Sequence, residues 1–239
     1  MALLALQSVS KSYGALKVTD NITLSVNKGE TLGILGPNGA GKTTLFNLIS
    51  GDVRCDQGQV LYAGNDVSRL MPHQRCHAGI GRSYQVPQPF GNMTVFENLV
   101  TAACFGGQQS EKQAWQTARD VLEQTGLLAQ ANKPAGGLTL LNRKRLELAR
   151  ALATQPELLL LDEIAGGLTE HEAHELVEEL RRIKARGITM IWIEHVVHAL
   201  LSIADRLFVI NFGQKLAEGE PQSVMNDPDV RRVYMGMEA

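Results

Sequence analysis

One stretch of nine residues limits what this chain can fold into more than any other: Gly36, Pro37, Asn38, Gly39, Ala40, Gly41, Lys42, Thr43 and Thr44. It fits the pattern G-x-x-x-x-G-K-[ST], in which glycines let the backbone curl so that successive N–H groups point at phosphate oxygens. The apolar run 31–35 before it predicts a buried strand, and residues 44–49 after it predict a helix, the context that the pattern requires. We therefore expect nucleotide binding, with Lys42 at the β- and γ-phosphates and the Thr43 hydroxyl on Mg²⁺.

The composition excludes several other classes of protein. The 23 Lys and Arg residues nearly balance 25 Asp and Glu residues, so neither a nucleic-acid surface nor a polybasic membrane tether is expected. Three cysteines without a CxxC pair suggest no disulfide framework and no zinc site, which fits a reducing compartment. The apolar start lacks a basic lead, and no run of about eighteen apolar residues occurs, so we expect neither a signal peptide nor a membrane span.

The pattern along the chain predicts an α/β fold with a largely parallel sheet. Residues 1–30 predict antiparallel strands with turns at Gly14 and at 27–29, and residues 86–92 form a turn-rich linker. Residues 94–153 carry mostly helical periodicity, with helices predicted over 94–103, 111–125 and 142–153, and predict a helical subdomain inserted into the sheet core. Sheet patterns resume at 157, and Thr169 and Gly187 bracket a predicted amphipathic helix.

Two carboxylates close the predicted strand at 157–161. Because the carboxyl ends of parallel strands meet where ligands bind, we expect Asp162 and Glu163 to converge on the phosphate loop. Asp162 would hold Mg²⁺ through water, and Glu163 would take a proton from an attacking water. The alternative, a solvated Asp-Glu pair that merely ends a strand, does not explain why Lys42 and Thr43 occur in the same chain.

Taken together, these motifs resemble the ATP-binding subunit of an ABC transporter. The resemblance covers nearly the whole chain and rests on an ordered series: Tyr13, 36–44, Gln85, 138–150, Asp162, Glu163 and His195. Within that family the chain looks most like the branched-chain amino acid importers, whose markers are the segments 81–85, 93–99, 193–195 and 226–236. The resemblance implies a P-loop NTPase core, an N-terminal antiparallel β-subdomain and an inserted helical subdomain.

The resemblance also assigns roles to three residues that the spacing alone does not. Tyr13 would stack on the adenine, as an aromatic face can without reading base edges. Gln85 would approach Mg²⁺ and the attacking water at the hinge between core and helical subdomain. His195 would contact the γ-phosphate and fix the water and Glu163. His198, three residues on, lacks the Ile-Glu-His context that singles out His195.

The chain departs from the family pattern in two segments, 138–142 and 164–169, where the family often has a proline directly after the carboxylate. Where the family has an L-S-G-G-Q signature that binds the partner subunit's ATP, this chain has Leu138-Thr139-Leu140-Leu141-Asn142. Thr139 keeps a hydroxyl for that nucleotide, whereas Leu140 and Leu141 limit close approach of the backbone to phosphate. We therefore expect this chain to complete a partner's site weakly. If the partner is a different ATPase with an intact signature, one site would hydrolyse well and the other poorly. If the assembly is a homodimer, both sites would carry the altered signature.

The resemblance implies one ATP-binding domain over 1–239, with a core at 1–85 and 155–239 and a helical subdomain at 86–154. It implies a Mg²⁺-dependent ATPase whose partners are a second ABC ATPase subunit, transmembrane permease subunits and an extracytoplasmic solute-binding protein. The chain would lie at the cytoplasmic face of the inner membrane, held through the permeases, and would power uptake of an amino acid or amide-like solute. Alternatives are a soluble ABC ATPase of repair or translation, a P-loop kinase, and a regulatory module without turnover.

Overall fold

The structure, a computed structural model, describes residues 2–235, except for the side chains of Tyr234 and Met235. The last residue of the 226–236 marker, Gly236, therefore lies outside the described residues. The chain divides into two compact units. The first unit comprises residues up to Pro72 and from Thr189 onward, and the second unit comprises His73–Ile188.

The first unit contains an antiparallel sheet and a mostly parallel sheet. The antiparallel sheet has the order β2-β1-β4-β5 and is formed by β1 (Ala2–Tyr13), β2 (Leu16–Asn27), β4 (Gln57–Tyr62) and β5 (Asn65–Asp66). In the second sheet of this unit, β3 (Thr31–Leu35) pairs in parallel with β8 (Thr189–Ile193) and with β9 (Arg206–Asn211), while β10 (Gln214–Gly219) pairs antiparallel with β9. The predicted antiparallel N-terminal strands are confirmed, and their register includes Leu6 opposite Leu24.

Four helices complete the first unit: α1 (Lys42–Ser50), α7 (Val197–Leu201), α8 (Pro221–Met225) and α9 (Pro228–Met235). Every residue of β3 and β8 is buried, as expected for the apolar strands of a parallel sheet. Helix α1 begins directly after the glycine-rich loop, so the predicted strand–loop–helix unit is confirmed.

The second unit joins a parallel pair of strands, β6 (Ile80–Arg82) and β7 (Leu158–Asp162), to a set of helices. These are α2 (Pro72–His77), which starts at the unit boundary, α3 (Val95–Thr101), α4 (Glu111–Gln124), α5 (Leu140–Ala153) and α6 (Glu170–Ala185). Capping boxes begin α3 at Thr94, α4 at Ser110 and α6 at Thr169. The predicted N-cap at Thr169 is confirmed, and Gly187 follows α6 in the left-handed region with φ 84°.

Several boundaries and short elements differ from the sequence prediction. The helix predicted over 94–103 ends at Thr101 and continues as a π-helical turn, Ala102–Gly106. The strand β6 and helices α7 to α9 were not predicted, because elements of three to eight residues carry too little periodicity to identify. No helix within residues 2–235 is long and apolar enough to cross a membrane. The three cysteines are free thiols.

A buried ion pair joins α5 to α6 and gives a test of stability. The Arg145 guanidinium donates to Glu179 through Nε at 2.7 Å and to Glu175 through Nη2 at 2.9 Å. Glu179 is buried, and its burial raises the pKa of its carboxyl although Arg145 acts in the opposite direction. Arg145→Ala is expected to lower the free energy of unfolding by about 3–5 kcal/mol, because it leaves a buried carboxylate without its partner.

Urea denaturation followed by circular dichroism would measure that loss. Arg181→Ala is the matched control, because Arg181 pairs with Glu178 on the exposed face of α6 and should cost less than about 1 kcal/mol. Replacing Arg145 and Glu179 together with methionine should recover most of the loss. Equal losses for Arg145→Ala and Arg181→Ala would contradict the importance of the buried pair.

Candidate functional site

The phosphate loop needs glycine at two positions because backbone carbonyls approach it closely. A β-carbon at Gly36 would lie 2.3 Å from the Ile210 carbonyl oxygen, and one at Gly41 would lie 2.4 Å from the Val18 carbonyl oxygen. Gly41 also has φ 106°, a conformation that side chains rarely adopt. Strands β2 and β9 therefore support the loop on two sides, and a larger residue at either position would displace it.

Lys42 lies across the loop rather than in solvent. Its side chain is buried, and Nζ donates to the carbonyl oxygens of Gly36 at 2.7 Å and Pro37 at 2.9 Å. Thr43 is exposed at the start of α1, where a hydroxyl can reach a metal ion. Within the described part of the chain, no side chain caps the N-terminus of α1 and no acidic residue lies in its first turn. The backbone N–H groups at the N-terminus of α1, together with the Lys42 ammonium, fit a nucleotide phosphate group.

The β1–β2 hairpin lies beside this loop in the same unit. Tyr13, at the end of β1, is 49% exposed, and the Lys11 ammonium lies 5.6 Å from its ring centroid. Val18 in β2 touches the loop at Gly41, and the Gly213 N–H donates to the Ala40 carbonyl at 3.0 Å. An exposed aromatic ring on a hairpin that contacts the phosphate loop is suitably placed for a purine base. Stacking of Tyr13 on the adenine remains a prediction.

His195 leaves the parallel sheet at the same edge as the phosphate loop. It follows β8, and Ile193 in β8 is paired with Ile34 in β3, two residues before Gly36. Its imidazole is exposed, while the preceding Glu194 is buried and accepts the His195 N–H at 2.9 Å. The strand register thus brings His195 to the phosphate-loop edge, and the contact of its side chain with a γ-phosphate stays a prediction.

In the second unit the structure brings Gln85 and Glu163 into direct contact. The Gln85 amide donates from Nε2 to Glu163 Oε2 at 2.5 Å, across 78 residues of sequence. Glu163 directly follows β7, and its φ of 47° lies in the left-handed region, which is uncommon for a residue with a β-carbon. A backbone outlier at a carboxylate of this kind is a candidate functional feature.

Asp162, the last residue of β7, is buried and paired. Its Oδ2 lies 3.2 Å from Nη2 of Arg82, the last residue of β6, and both side chains are nearly buried. Arg82 also stacks over the Tyr84 ring, with its guanidinium carbon 4.7 Å from the centroid. Convergence of Asp162 and Glu163 on the phosphate loop stays a prediction.

Thr139 forms the N-cap of α5. Its side-chain oxygen accepts the Asn142 N–H at 3.4 Å, so the hydroxyl that was expected to face a nucleotide also serves the helix. Leu140 is exposed and lies next to Gly167, where a β-carbon would be 3.5 Å from Leu140 Cδ2. Leu140 of the 138–142 segment therefore lies close to Gly167 of the 164–169 segment, and both segments depart from the family pattern.

Sequence reasoning missed the charged residues on the inner face of α5. Lys144 and Glu147 are buried on a helix rich in leucine and alanine. Lys144 contacts the Glu163 backbone, and Glu147 lies beside the segment that carries Gln85. Charges at positions where an amphipathic helix should be apolar are the signal that could have identified them.

Comparison with known proteins identifies the family. The ABC transporter family model matches residues 19–166, and a model described as branched-chain amino acid ATP-binding cassette transporter matches residues 214–236. The chain belongs to the ABC transporter ATP-binding family. It is 35% identical over 236 residues to the lipopolysaccharide export system ATP-binding protein LptB of Haemophilus influenzae, covering 99% of this chain and 98% of that protein.

Other relatives carry the predicted transport role in their names. The high-affinity branched-chain amino acid transport ATP-binding protein LivG of Salmonella typhimurium is 35% identical over 249 residues, covering 98% of each chain. Among solved structures, a nucleotide-free ATP-binding cassette from an ABC transporter superposes on this ABC ATPase with a TM-score of 0.89 at 33% identity, covering 99% of this chain and 100% of the other. An ABC cassette in its ADP conformation gives 0.88 at 34% identity, with the same coverage.

These comparisons confirm the predicted family, the α/β ABC ATPase fold class and the ATPase activity that defines the family. The chain is the ATP-binding subunit of an ABC transporter. The roles assigned to individual site residues, and the subdomain boundaries at 85–86 and 154–155, are not tested by them and remain predictions.

Proposed function

We propose that this ABC ATPase powers uptake of a small solute, an amino acid or an amide-like molecule, through separate permease subunits at the cytoplasmic face of the membrane. Binding of ATP would close a dimer of two ATPase subunits, and hydrolysis would open it. One observation carries the importer assignment, namely that residues 214–236 match the branched-chain amino acid cassette model. An extracytoplasmic solute-binding protein would deliver the solute.

The contact between Gln85 and Glu163 supports the assignment of hydrolysis to this chain. Glu163 would accept a proton from the attacking water, and Gln85 would hold that carboxylate in position. Tyr13 would receive the adenine, the 36–44 loop the phosphates, and His195 the γ-phosphate. The hydroxyl of Thr43, the amide of Gln85 and the carboxylate of Asp162 are oxygen donors of the kind that Mg²⁺ prefers. When bound there, Mg²⁺ would neutralise charge on the phosphate oxygens.

The relatives are named for different cargoes, and one of those names makes lipid export the alternative function. LptB of Haemophilus influenzae matches this chain as well as the LivG proteins do, over nearly all of its length. The C-terminal match to the branched-chain model favours import of a small solute. The identity of the solute would be decided by the permeases and the solute-binding protein.

Transport by the reconstituted complex is the test. The chain would be purified with the membrane subunits that co-purify with it and placed in proteoliposomes with ATP and Mg²⁺. We expect ATP-dependent movement of radiolabelled leucine, valine, glutamine or urea across the membrane, toward the side on which the ATPase subunits lie. No movement is expected when EDTA removes Mg²⁺. Extraction of lipid without movement of any small solute would replace this proposal with lipid export.

The same preparation would test whether the two ATPase subunits of the pair are identical or different. Because Leu140 and Leu141 occupy the signature segment, hydrolysis by this chain alone is expected to be slower than hydrolysis by the chain mixed with a second, co-purifying ATPase. Phosphate release from the two preparations at equal subunit concentration would measure the difference. Equal rates would contradict a heterodimer with one strong and one weak site.

A further inference from the structure

Helix α5 contacts the backbone of Glu163 through a buried lysine. Lys144 is 5% exposed, and its Nζ donates to the Glu163 carbonyl oxygen at 3.1 Å. The Gly166 N–H donates to the same oxygen at 3.2 Å. A residue with a β-carbon at φ 47° persists only where its surroundings hold it there. Lys144 is one of the groups that hold the Glu163 backbone in this conformation.

The same helix contacts the segment that carries Gln85. Glu147 is 6% exposed, and the backbone N–H groups of Tyr84 and Gln88, on either side of Gln85, act to lower the pKa of its carboxyl, which places them beside it. Two residues in this segment, Pro87 and Pro89, have no N–H to offer, so few backbone donors are available to fix it. Glu147 on α5 is therefore placed to hold the 84–88 backbone, directly and through Arg150.

Arg150 reinforces this attachment one turn further along α5. Its Nη1 donates to the Gln88 carbonyl oxygen at 2.9 Å and to Glu147 Oε2 at 3.1 Å. Its guanidinium also lies over the Phe90 ring, 5.1 Å from the centroid. The segment 84–90 is thus held by a carboxylate, a guanidinium and a cation–π contact from one face of one helix.

Packing alone would not place these charges inside the protein. Burying a carboxylate or an ammonium costs free energy unless it is hydrogen-bonded, and apolar residues of similar size would pack the same space at less cost. Burial raises the pKa of the Glu147 carboxyl, while Arg150 and the N–H groups of Gln88 and Tyr84 act in the opposite direction. The neighbouring Leu146, Leu148 and Ala149 are buried and apolar, so Lys144 and Glu147 stand out on this helix.

We propose that Lys144 and Glu147 are positioning residues for hydrolysis, which hold Glu163 and Gln85 at hydrogen-bond distance from each other. Lys144 fixes the position of Glu163, and Glu147 fixes the position of the segment that carries Gln85. One helix therefore determines the distance between the Glu163 carboxylate and the Gln85 amide. The inference rests on the proposed function only in taking Glu163 and Gln85 as the pair that acts in hydrolysis.

Steady-state kinetics of the chain with its co-purifying partners would test the proposal. Lys144→Met and Glu147→Gln are each expected to lower kcat for ATP about tenfold to a hundredfold, because small misplacements of reacting groups have effects of that size. The KM for ATP should change less than about threefold, since neither residue belongs to the phosphate loop. Lys144→Arg, which keeps a donor for the Glu163 carbonyl, should recover most of kcat.

A double variant separates positioning from general damage. If Glu147 acts through Gln85, then Glu147→Gln should lower kcat in the parent and have almost no further effect in a Gln85→Ala background. Glu178→Gln, the same substitution on the exposed face of α6, should leave kcat unchanged. An equal loss from Glu147→Gln in both backgrounds, or a rise in KM together with a lower melting temperature, would overturn the proposal.

Hydrogen exchange without nucleotide gives a result that does not depend on activity. Glu147→Gln should speed exchange at the Tyr84 and Gln88 amides and leave the amides within α4 unchanged. Unchanged exchange at Tyr84 and Gln88 would refute the attachment to α5. A parent protein without hydrolysis would refute the proposed function, and hydrogen exchange would still decide whether Glu147 holds the segment.

Discussion

Replacing Glu163 with glutamine is expected to abolish turnover of ATP while leaving ATP binding intact. An amide oxygen can still accept the Gln85 donor, but an amide cannot take a proton from water as a carboxylate can. Loss of a general base costs about a hundredfold to ten-thousandfold in rate. Phosphate release by the chain with its partners, and ATP binding by equilibrium dialysis, would be measured on the same preparation.

The matched control for this substitution is Glu178→Gln, which makes the same chemical change on the exposed face of α6. It should hydrolyse ATP at the parent rate. Hydrolysis by Glu163→Gln within tenfold of the parent would remove Glu163 from the role of base. Loss of ATP binding together with hydrolysis would mean instead that the carboxylate shapes the nucleotide site.

Lys42→Ala is expected to remove ATP binding itself. The Lys42 ammonium is buried over the loop, within reach of the Gly36 and Pro37 carbonyls, where it can meet the negative charge of the phosphates. Removing one member of a buried, hydrogen-bonded charge pair costs about 2–5 kcal/mol, which corresponds to a roughly thirtyfold to several-thousandfold weaker Kd. Titration with a fluorescent ATP analogue would measure the change.

Lys28→Ala serves as the control, because Lys28 is an exposed lysine of the same unit in the turn between β2 and β3. It should bind the analogue with the parent Kd. A Lys42→Ala protein that binds within threefold of the parent, with an unchanged melting temperature, would show that the loop amides hold the phosphates without the ammonium.

The sequence predicted the parts of the site that depend on neighbouring residues. The loop at 36–44, the strand before it and the helix after it are local features, and the structure confirms them as β3, α1 and the turn between them. The Thr169 N-cap was predictable for the same reason, because a capping box spans only four residues. The short strand β6 was not, since three residues show no periodicity.

The sequence by itself therefore determined the phosphate loop, the order of the longer strands and helices, and the family to which the chain belongs. Only the tertiary structure decided that Gln85 meets Glu163, that Asp162 pairs with Arg82, and that Lys144 and Glu147 of α5 reach both segments. It also showed which carbonyls, of Val18 and Ile210, make the loop glycines necessary. The physical reason is distance along the chain. A motif is encoded by residues a few positions apart, whereas these contacts join residues that are far apart in sequence and meet only when the strands and helices pack.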